Sequence, residues 1–236
     1  MENNHTHNGH THLTVDEIKN GCVSRLGNDK GKTRMCVINE EFKQGFDFLK
    51  DKKHSVTFFG SARFDENNKY YIQTRSLAHK ISSELGFAVV SGGGPGIMEA
   101  ANRGAFEAGG ESLGLTIDLP TEQYVNPYTT DSIPFYFFFA RKVTLSYAAE
   151  GYIFAPGGFG TLDEFFEIIT LVQTGKIPNV PIFCIGSEFW NPLQDFIKNV
   201  LIVNKTIDEK DLQIYKITDD ENEIIEALRH APLRQG

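Results

Sequence analysis

From residue 55 onward, short apolar runs alternate with longer amphipathic segments, and this alternation limits the folds that the chain can adopt. The apolar runs have the length of buried strands and lie at residues 56–59, 87–90, 112–117, 152–155, 180–185 and 214–217. Helices are predicted at residues 70–85, 97–108, 141–150, 162–174, 192–203 and 222–230. Because such alternation is typical of parallel sheets, we predict an α/β fold, a Rossmann-like doubly wound parallel sheet with helices on both faces.

The composition fits one domain of this kind behind an N-terminal extension. With 236 residues, 40% hydrophobic and 23% charged, the chain is long enough for one substantial core. We expect residues 52–236 to form a single Rossmann-like domain and residues 1–51 to form the extension, with a helix at residues 40–50. The first dozen or so residues are polar, include four histidines and are expected to be disordered, although such a tail can also bind metal.

Charge and cysteine content exclude several classes of function. A net charge of −8 and a pI near 5.4 disfavour a nucleic-acid surface. The three cysteines, Cys22, Cys36 and Cys184, show no CxxC spacing, so we expect neither a disulfide framework nor a zinc site. The sequence contains no apolar stretch of about 18 residues, the length that a membrane-spanning helix needs. A cytoplasmic protein without membrane or nucleic-acid partners is therefore predicted.

Two glycine-rich turns each join a predicted strand to a predicted helix. One has the sequence Ser-Gly-Gly-Gly-Pro-Gly at residues 91–96, and the other Pro-Gly-Gly-Phe-Gly-Thr at residues 156–161. Glycines let the backbone approach a ligand, and the first N–H groups of a helix attract phosphate. Neither turn is a Walker A loop or a dinucleotide fingerprint, so no ATP or NAD is implied. Together with the turn at residues 60–63 they predict one anion-binding cleft at the carboxyl edge of the sheet; the alternative is tight βα turns that bind nothing.

Charged side chains next to these turns indicate chemistry as well as binding. Asp163 and Glu164 follow the second turn, where a carboxylate would repel phosphate unless it faced another part of the ligand, so we assign Glu164 to chemistry. Arg141 and Lys142 are predicted to open a helix, where cations need a compensating partner, either a phosphate or Glu164, unless they are simply solvated. The aromatic segment at residues 134–140 is expected to be mostly core, with one or two rings able to stack on a base.

These motifs resemble the Lonely Guy (LOG) family, also described as lysine decarboxylase-like, over about residues 55–205. The resemblance implies a homodimer, or a higher homo-oligomer, that hydrolyses the N-glycosidic bond of nucleoside 5′-monophosphates without a cofactor or metal. It implies that Arg141 and Glu164 are catalytic. The expected substrate-binding residues are Ser61, Gly92, Gly93, Gly94, Met98, Gln123, Arg141, Lys142, Gly157, Gly158, Phe159, Gly160, Thr161, Glu164 and Thr170.

The chain departs from the plant-type pattern in ways that affect the expected substrate. Ser91 replaces the usual tyrosine before the glycines, and Glu99 replaces a glycine after Met98. We therefore expect AMP rather than a cytokinin riboside monophosphate. The alternative from another class is a non-catalytic carrier of a nucleotide or of molybdenum cofactor. A pyridoxal-phosphate lysine decarboxylase is disfavoured, because it needs a Schiff-base lysine in a much larger site.

Overall fold

The computed structural model describes residues 12–27, 29–52, 54–118, 124–147 and 149–232, and its centre is a seven-stranded sheet. Every pair of neighbouring strands is parallel, in the order β4-β3-β2-β1-β5-β6-β7. The strands are β1 Ser55–Phe59, β2 Ala88–Ser91, β3 Ser112–Ile117, β4 Asp131–Phe135, β5 Gly151–Phe154, β6 Ile182–Cys184 and β7 Lys216–Ile217. The predicted α/β class is confirmed.

Helices cover both faces of the sheet, as the continuous apolar runs of its strands require. Within β5, Tyr152 and Phe154 belong to one buried apolar cluster, whereas Ile153 belongs to the other. Successive side chains of a strand point to opposite faces, so one core lies on each side. The helices are α1 Val15–Leu26, α2 Lys30–Leu49, α3 Lys69–Lys80, α4 Ile97–Glu107, α5 Phe138–Tyr147, α6 Phe159–Gln173, α7 Ser187–Phe196 and α8 Glu221–Arg229. Single π-helical segments at Ile81–Leu85 and Ile197–Ile202 extend α3 and α7, and Glu209–Gln213 forms a 3₁₀ helix.

One strand and one helix were not predicted. The edge strand β4 buries Ile133 and Phe135 but contains Pro134, a residue that sheets tolerate at an edge, so the run does not look like a buried strand. Helix α1 is amphipathic only weakly, and it begins at a capping box in which Thr14 and Glu17 bond each other's backbone N–H groups.

The N-terminal extension forms a helical hairpin of α1 and α2 that a disulfide joins. Cys22 of α1 is bonded to Cys36 of α2, so the expectation that no cysteines pair was wrong, while Cys184 is free and buried. The 14-residue separation of the pair reflects a tight helical hairpin, for which the cysteine spacing has no recognisable signature. The hairpin contacts the sheet domain at Glu41, a buried carboxylate that accepts hydrogen bonds from the backbone N–H groups of Tyr136 and Phe137.

The aromatic segment before α5 is less buried than predicted. Phe135 is fully buried, but Tyr136 is 45%, Phe138 62% and Phe139 43% exposed, so the expectation that most of these rings are core was wrong. Helix α5 begins at Phe138, three residues earlier than predicted, which places Phe138 and Phe139 on its first turn. Within the described ranges no helix combines the length and the apolar character that crossing a membrane requires.

Candidate functional site

A cleft opens where the strand order reverses. Strand β1 lies between β2 and β5, so the chain leaves the sheet centre in opposite directions on the two sides of β1. The turns that follow these three strands surround a cleft of about 960 Å³. Ligands of open parallel sheets bind at such a reversal, beyond the carboxyl ends of the strands. The three turns thus meet as the sequence predicts.

Hydrogen bonds and close packing hold the three turns together. The Ser61 N–H donates to the Pro156 carbonyl at 3.0 Å, and the Ser61 carbonyl accepts from the Ile97 N–H at 2.9 Å. A Cβ on Gly157 would overlap the Thr161 hydroxyl and lie 2.6 Å from its Cβ. Gly96, with φ of +70°, approaches the backbone after β1 too closely for any side chain. These glycines are therefore required by packing between the turns.

The N-terminus of α6 faces the cleft with unused donors. Gly158 is the N-cap and has no side chain to bond the first N–H groups of the helix. The first intrahelical bond runs from the Leu162 N–H to the Gly158 carbonyl, which leaves the N–H groups of Phe159, Gly160 and Thr161 without a helical acceptor. Orphan N–H groups and the positive end of the helix dipole together make an anion site.

Glu164 lies one turn further along α6, on the wall of the cleft. Its Oε2 atom is buried and lacks a hydrogen-bond partner in the described part of the chain. Burial raises the pKa of Glu164 to about 7, although the nearby Lys142 cation opposes the shift. A buried carboxyl with a raised pKa and an unsatisfied oxygen is typical of functional sites.

The two basic residues of α5 have different surroundings. The Nζ atom of Lys142 pairs with Asp163 Oδ2 at 2.6 Å and with Glu167 Oε2 at 3.1 Å, so carboxylates rather than solvent compensate it. Arg141 donates from Nε to the Leu115 carbonyl at 2.6 Å, and a Cβ on Gly92 would overlap its guanidinium. Burial lowers the pKa of Arg141, while the charge of Glu164 favours its cationic form. Both residues were predicted to open α5, but they lie in its second turn.

A buried polar network supports the glycine turn after β2. The Ser91 hydroxyl donates to Asn102 Oδ1 at 2.6 Å and accepts from the Gly93 N–H at 3.0 Å. The Asn126 side chain donates to the same Asn102 oxygen and to the Gly94 carbonyl. Ser91 thus lies behind the turn instead of in the cleft. The other departure from the plant-type pattern, Glu99, accepts hydrogen bonds from the hydroxyls of Tyr71 and Tyr124 and does not line the cleft.

The cleft collects most of the predicted site residues. Those that line it are Ser61, Gly92, Met98, Arg141, Lys142, Gly157, Gly158, Phe159, Gly160, Thr161 and Glu164. Gly93 and Gly94 belong to the turn but not to the cleft lining. Thr170 lies further along α6, where its hydroxyl donates to the Phe166 carbonyl. Gln123 lies outside the described residues.

The sequence placed the turn that contains Arg63 at this cleft and allowed one or two rings of residues 134–140 to stack on a base, but it gave Arg63 no role and did not indicate Phe64 or Phe189. Arg63 is exposed at the cleft and, among the described residues, has no ion-pair partner. Phe64, Phe138, Phe139 and Phe189 also line the cleft. The position of Arg63 in the turn after β1 could have placed it at the site, since the two glycine turns also follow strands. Phe189 lies on α7, and no pattern in the sequence indicates that it reaches the cleft.

The fold and cleft define a Rossmann-like α/β protein with a ligand site at the switch point of its sheet. A family model described as "Possible lysine decarboxylase" matches residues 98–228. Because the match covers more than half of the chain, the protein belongs to this family, and the LOG resemblance is confirmed.

Curated relatives agree with this assignment, and solved structures share the fold. A probable cytokinin riboside 5′-monophosphate phosphoribohydrolase of Oryza sativa subsp. japonica is 28% identical over 151 residues, covering 61% of this chain and 69% of that protein. The cytokinin riboside 5′-monophosphate phosphoribohydrolase of Rhodococcoides fascians is 25% identical over 150 residues, covering 63% and 76%. The X-ray structure of TM1055, a structural genomics target, has a TM-score of 0.53 at 26% identity and covers 73% of this chain and 98% of that one. The molybdenum cofactor carrier protein of Chlamydomonas reinhardtii shares the fold, with a TM-score of 0.55 at 20% identity over 76% and 98% of the two chains.

Proposed function

We propose that this protein is a nucleoside 5′-monophosphate phosphoribohydrolase, which converts AMP or a cytokinin riboside monophosphate to the free base and ribose 5-phosphate. The observation that carries the proposal is the unpartnered, buried carboxylate oxygen of Glu164, one helical turn from the orphan N–H groups of α6. Relatives named as cytokinin riboside 5′-monophosphate phosphoribohydrolases support the same reaction.

In this proposal the phosphate lies at the start of α6. The N–H groups of Phe159, Gly160 and Thr161 bind the 5′-phosphate, and the exposed cation of Arg63 lies at the same cleft. Binding there fixes the ribose beside Glu164, so binding energy from the phosphate positions the reacting carbon. The rings of Phe138 and Phe139 offer apolar surface for the base.

Glu164 then acts on the anomeric carbon, C1′. Breaking the bond between C1′ and the base nitrogen builds positive charge on the ribose ring, which a carboxylate stabilises. Water adds to C1′, the bond electrons leave with the base, and a proton from water ends on the base. With its pKa raised to about 7, Glu164 accepts a proton from water more readily than an ordinary carboxylate does. Arg141 binds the ribose phosphate or orients Glu164 from the opposite wall.

Base release from AMP tests this proposal. We expect Glu164→Gln to lower kcat by about 100-fold or more, because the substitution keeps the shape and removes the charge. Asp195→Asn, an exposed change on α7 outside the cleft, is the matched control and should keep parent activity. Adenosine should be cleaved with much lower kcat/KM than AMP, since it lacks the group that positions the sugar. Activity of Glu164→Gln within about threefold of the parent would contradict the catalytic role.

If the protein releases no base, the alternative is a non-catalytic carrier, which a measurement of AMP binding would reveal. Tight binding of AMP by both the parent and Glu164→Gln, with no adenine formed by either, would indicate a carrier. We also propose that the protein works as a homodimer, on the strength of the exposed aromatic side chains of α5 and α6.

A further inference from the structure

A second pocket, separate from the cleft, lies between the N-terminal hairpin and the segment that leads into α5. Its volume is about 690 Å³, within the range of small-molecule sites. The residues that line it are Lys19, Val23, Gly27, Lys30, Thr33, Arg34, Val37, Tyr136 and Phe137. None of these residues lines the cleft.

Three cations line this hairpin pocket in a chain whose net charge is −8. Lys19, Lys30 and Arg34 have no ion-pair partner within 4.0 Å among the described residues. Glu41 is close enough for the Lys19 charge to counter the burial that raises the pKa of Glu41, and its two carboxylate oxygens already accept the backbone N–H groups of Tyr136 and Phe137. Unpaired cations that converge on one concave surface favour an anion.

Two of the cations lie over aromatic rings of the pocket. Lys19 Nζ is 3.6 Å from the ring centroid of Tyr136, and the Arg34 guanidinium carbon is 5.5 Å from that of Phe137. The two rings meet edge to face, at 85° and 5.0 Å, so they form an angled apolar wall. A ligand that fits both features carries its charge next to a flat ring.

The walls of the pocket are fixed before any ligand arrives. The disulfide between Cys22 and Cys36 joins the two helices that supply the cations, and Glu41 holds the backbone that supplies the rings. A preformed site loses less conformational entropy on binding. Among the described lining residues there is no carboxylate, so no negative side chain in the lining opposes the binding of an anion.

We propose that this pocket binds a small organic anion in which a phosphate or carboxylate group is attached to a flat ring. The anionic group pairs with Lys30 and Arg34, which line the α2 side, while the ring packs on Tyr136 and Phe137. The site lies outside the catalytic cleft, although Phe137 adjoins it: its carbonyl accepts the backbone N–H of Arg141 at 3.2 Å.

Calorimetric titration with 1-naphthyl phosphate and with 1-naphthoate tests the proposal, since these probes carry the two anionic groups on one ring. We expect Lys30→Met with Arg34→Met to lose one binding site per chain or to raise its Kd about tenfold or more. Tyr136→Ala, which keeps the cations and removes one ring, should weaken the same site. Lys43→Met with Lys50→Met changes the net charge equally outside the pocket and should leave Kd within about twofold.

Several results would overturn the proposal. One is unchanged binding of both probes by the Lys30 and Arg34 variant. Another is equal affinity for uncharged 1-naphthol, which would mean that the pocket is only an apolar groove. A third is a crystal soaked with 1-naphthyl phosphate in which the probe occupies the α6 cleft alone. Preference for one of the two probes would identify the anionic group that the site accepts.

Discussion

Glu164 links the stability of the protein to pH in the direction opposite to that of a salt-bridged carboxylate. Its pKa is raised to about 7 in the folded chain, chiefly by burial, against an ordinary value of 4.5. The folded state therefore binds this proton more firmly than the unfolded state, and its contribution to stability is lost as the pH rises from about 4.5 to about 7. Glutamine cannot ionise and avoids this loss.

We therefore predict that Glu164→Gln is more stable than the parent at about pH 8, by about 1 to 3 kcal/mol, and that the gain shrinks at about pH 5. Urea unfolding at the two pH values measures the difference in the free energy of unfolding. Asp195→Asn should show no such dependence. A gain that is equal at both pH values would mean that the carboxyl is not the titrating group.

Gly157 and Gly158 are adjacent, yet only one of them is packed against a neighbouring turn. A Cβ on Gly157 meets Thr161 and lies 3.0 Å from the Ser61 nitrogen, whereas a Cβ on Gly158 meets nothing within 4 Å. We predict that Gly157→Ala lowers the free energy of unfolding by about 1 to 3 kcal/mol through overpacking. Gly158→Ala should change it by less than about 0.5 kcal/mol. Similar values for the two variants in urea unfolding would contradict the close approach of the turns.

In the described part of the chain, the first N–H groups without an acceptor number two at α4, those of Met98 and Glu99, and three at α6, those of Phe159, Gly160 and Thr161. At the start of α4, the Ile97 N–H donates to Ser61 and the Gly93 N–H donates to the Ser91 hydroxyl. At the start of α6, three N–H groups have no helical acceptor. We predict that a crystal grown in sulfate or phosphate holds the anion at the N-terminus of α6. An anion bound only at residues 92–96 would reverse the roles of the two turns.

Six of the seven strands in the described part of the chain were predicted, because a strand buried on both faces has a continuous apolar run, whereas the edge strand β4 was missed. Strand β3 was predicted at residues 112–117 and observed as Ser112–Ile117. The starts of α5 and α6 were predicted three residues late, since Phe138 and Phe159 look like loop residues before a helix. Their rings are 62% and 93% exposed, so no core-facing periodicity marks the first turn.

The sequence predicted more of the candidate site's residues than of the long-range contacts that support them. The turns after strands predict that Glu164 and the glycines meet, because the topology brings these turns to one edge of the sheet, whereas the catalytic assignment of Arg141 came from the LOG resemblance. The Cys22–Cys36 bond joins two helices whose relative alignment the sequence does not give. The contact of Glu41 with Tyr136 joins segments that are 95 residues apart. The network from Ser91 to Asn126 depends on a buried asparagine, Asn102, whose partners only the three-dimensional structure brings together. Long-range pairing of this kind has no local signal.

Helices α5 and α6 carry several exposed apolar side chains. Ion pairs from Lys142 to Asp163 and Glu167 hold α5 beside α6. The exposed apolar side chains of these helices include Phe138, Val143, Phe159 and Phe166, with 62%, 42%, 93% and 40% exposure, and we call these four the α5–α6 surface. Exposed apolar patches of this kind mark interaction sites.

We predict a homodimer through the α5–α6 surface, with a mass in sedimentation equilibrium of twice the 26.5 kDa chain. Val143→Asp with Phe166→Asp should shift the mass to that of one chain, because charges buried without partners oppose association. Ile72→Asp, an equally drastic change at a 55% exposed position on α3, should leave the dimer intact. Dilution dissociates the parent dimer by mass action. The double variant should therefore unfold at the same midpoint as a parent sample that has been diluted until it is monomeric. A parent that sediments as a single chain, or an Ile72→Asp variant that dissociates as readily as the double variant, would place the interface elsewhere.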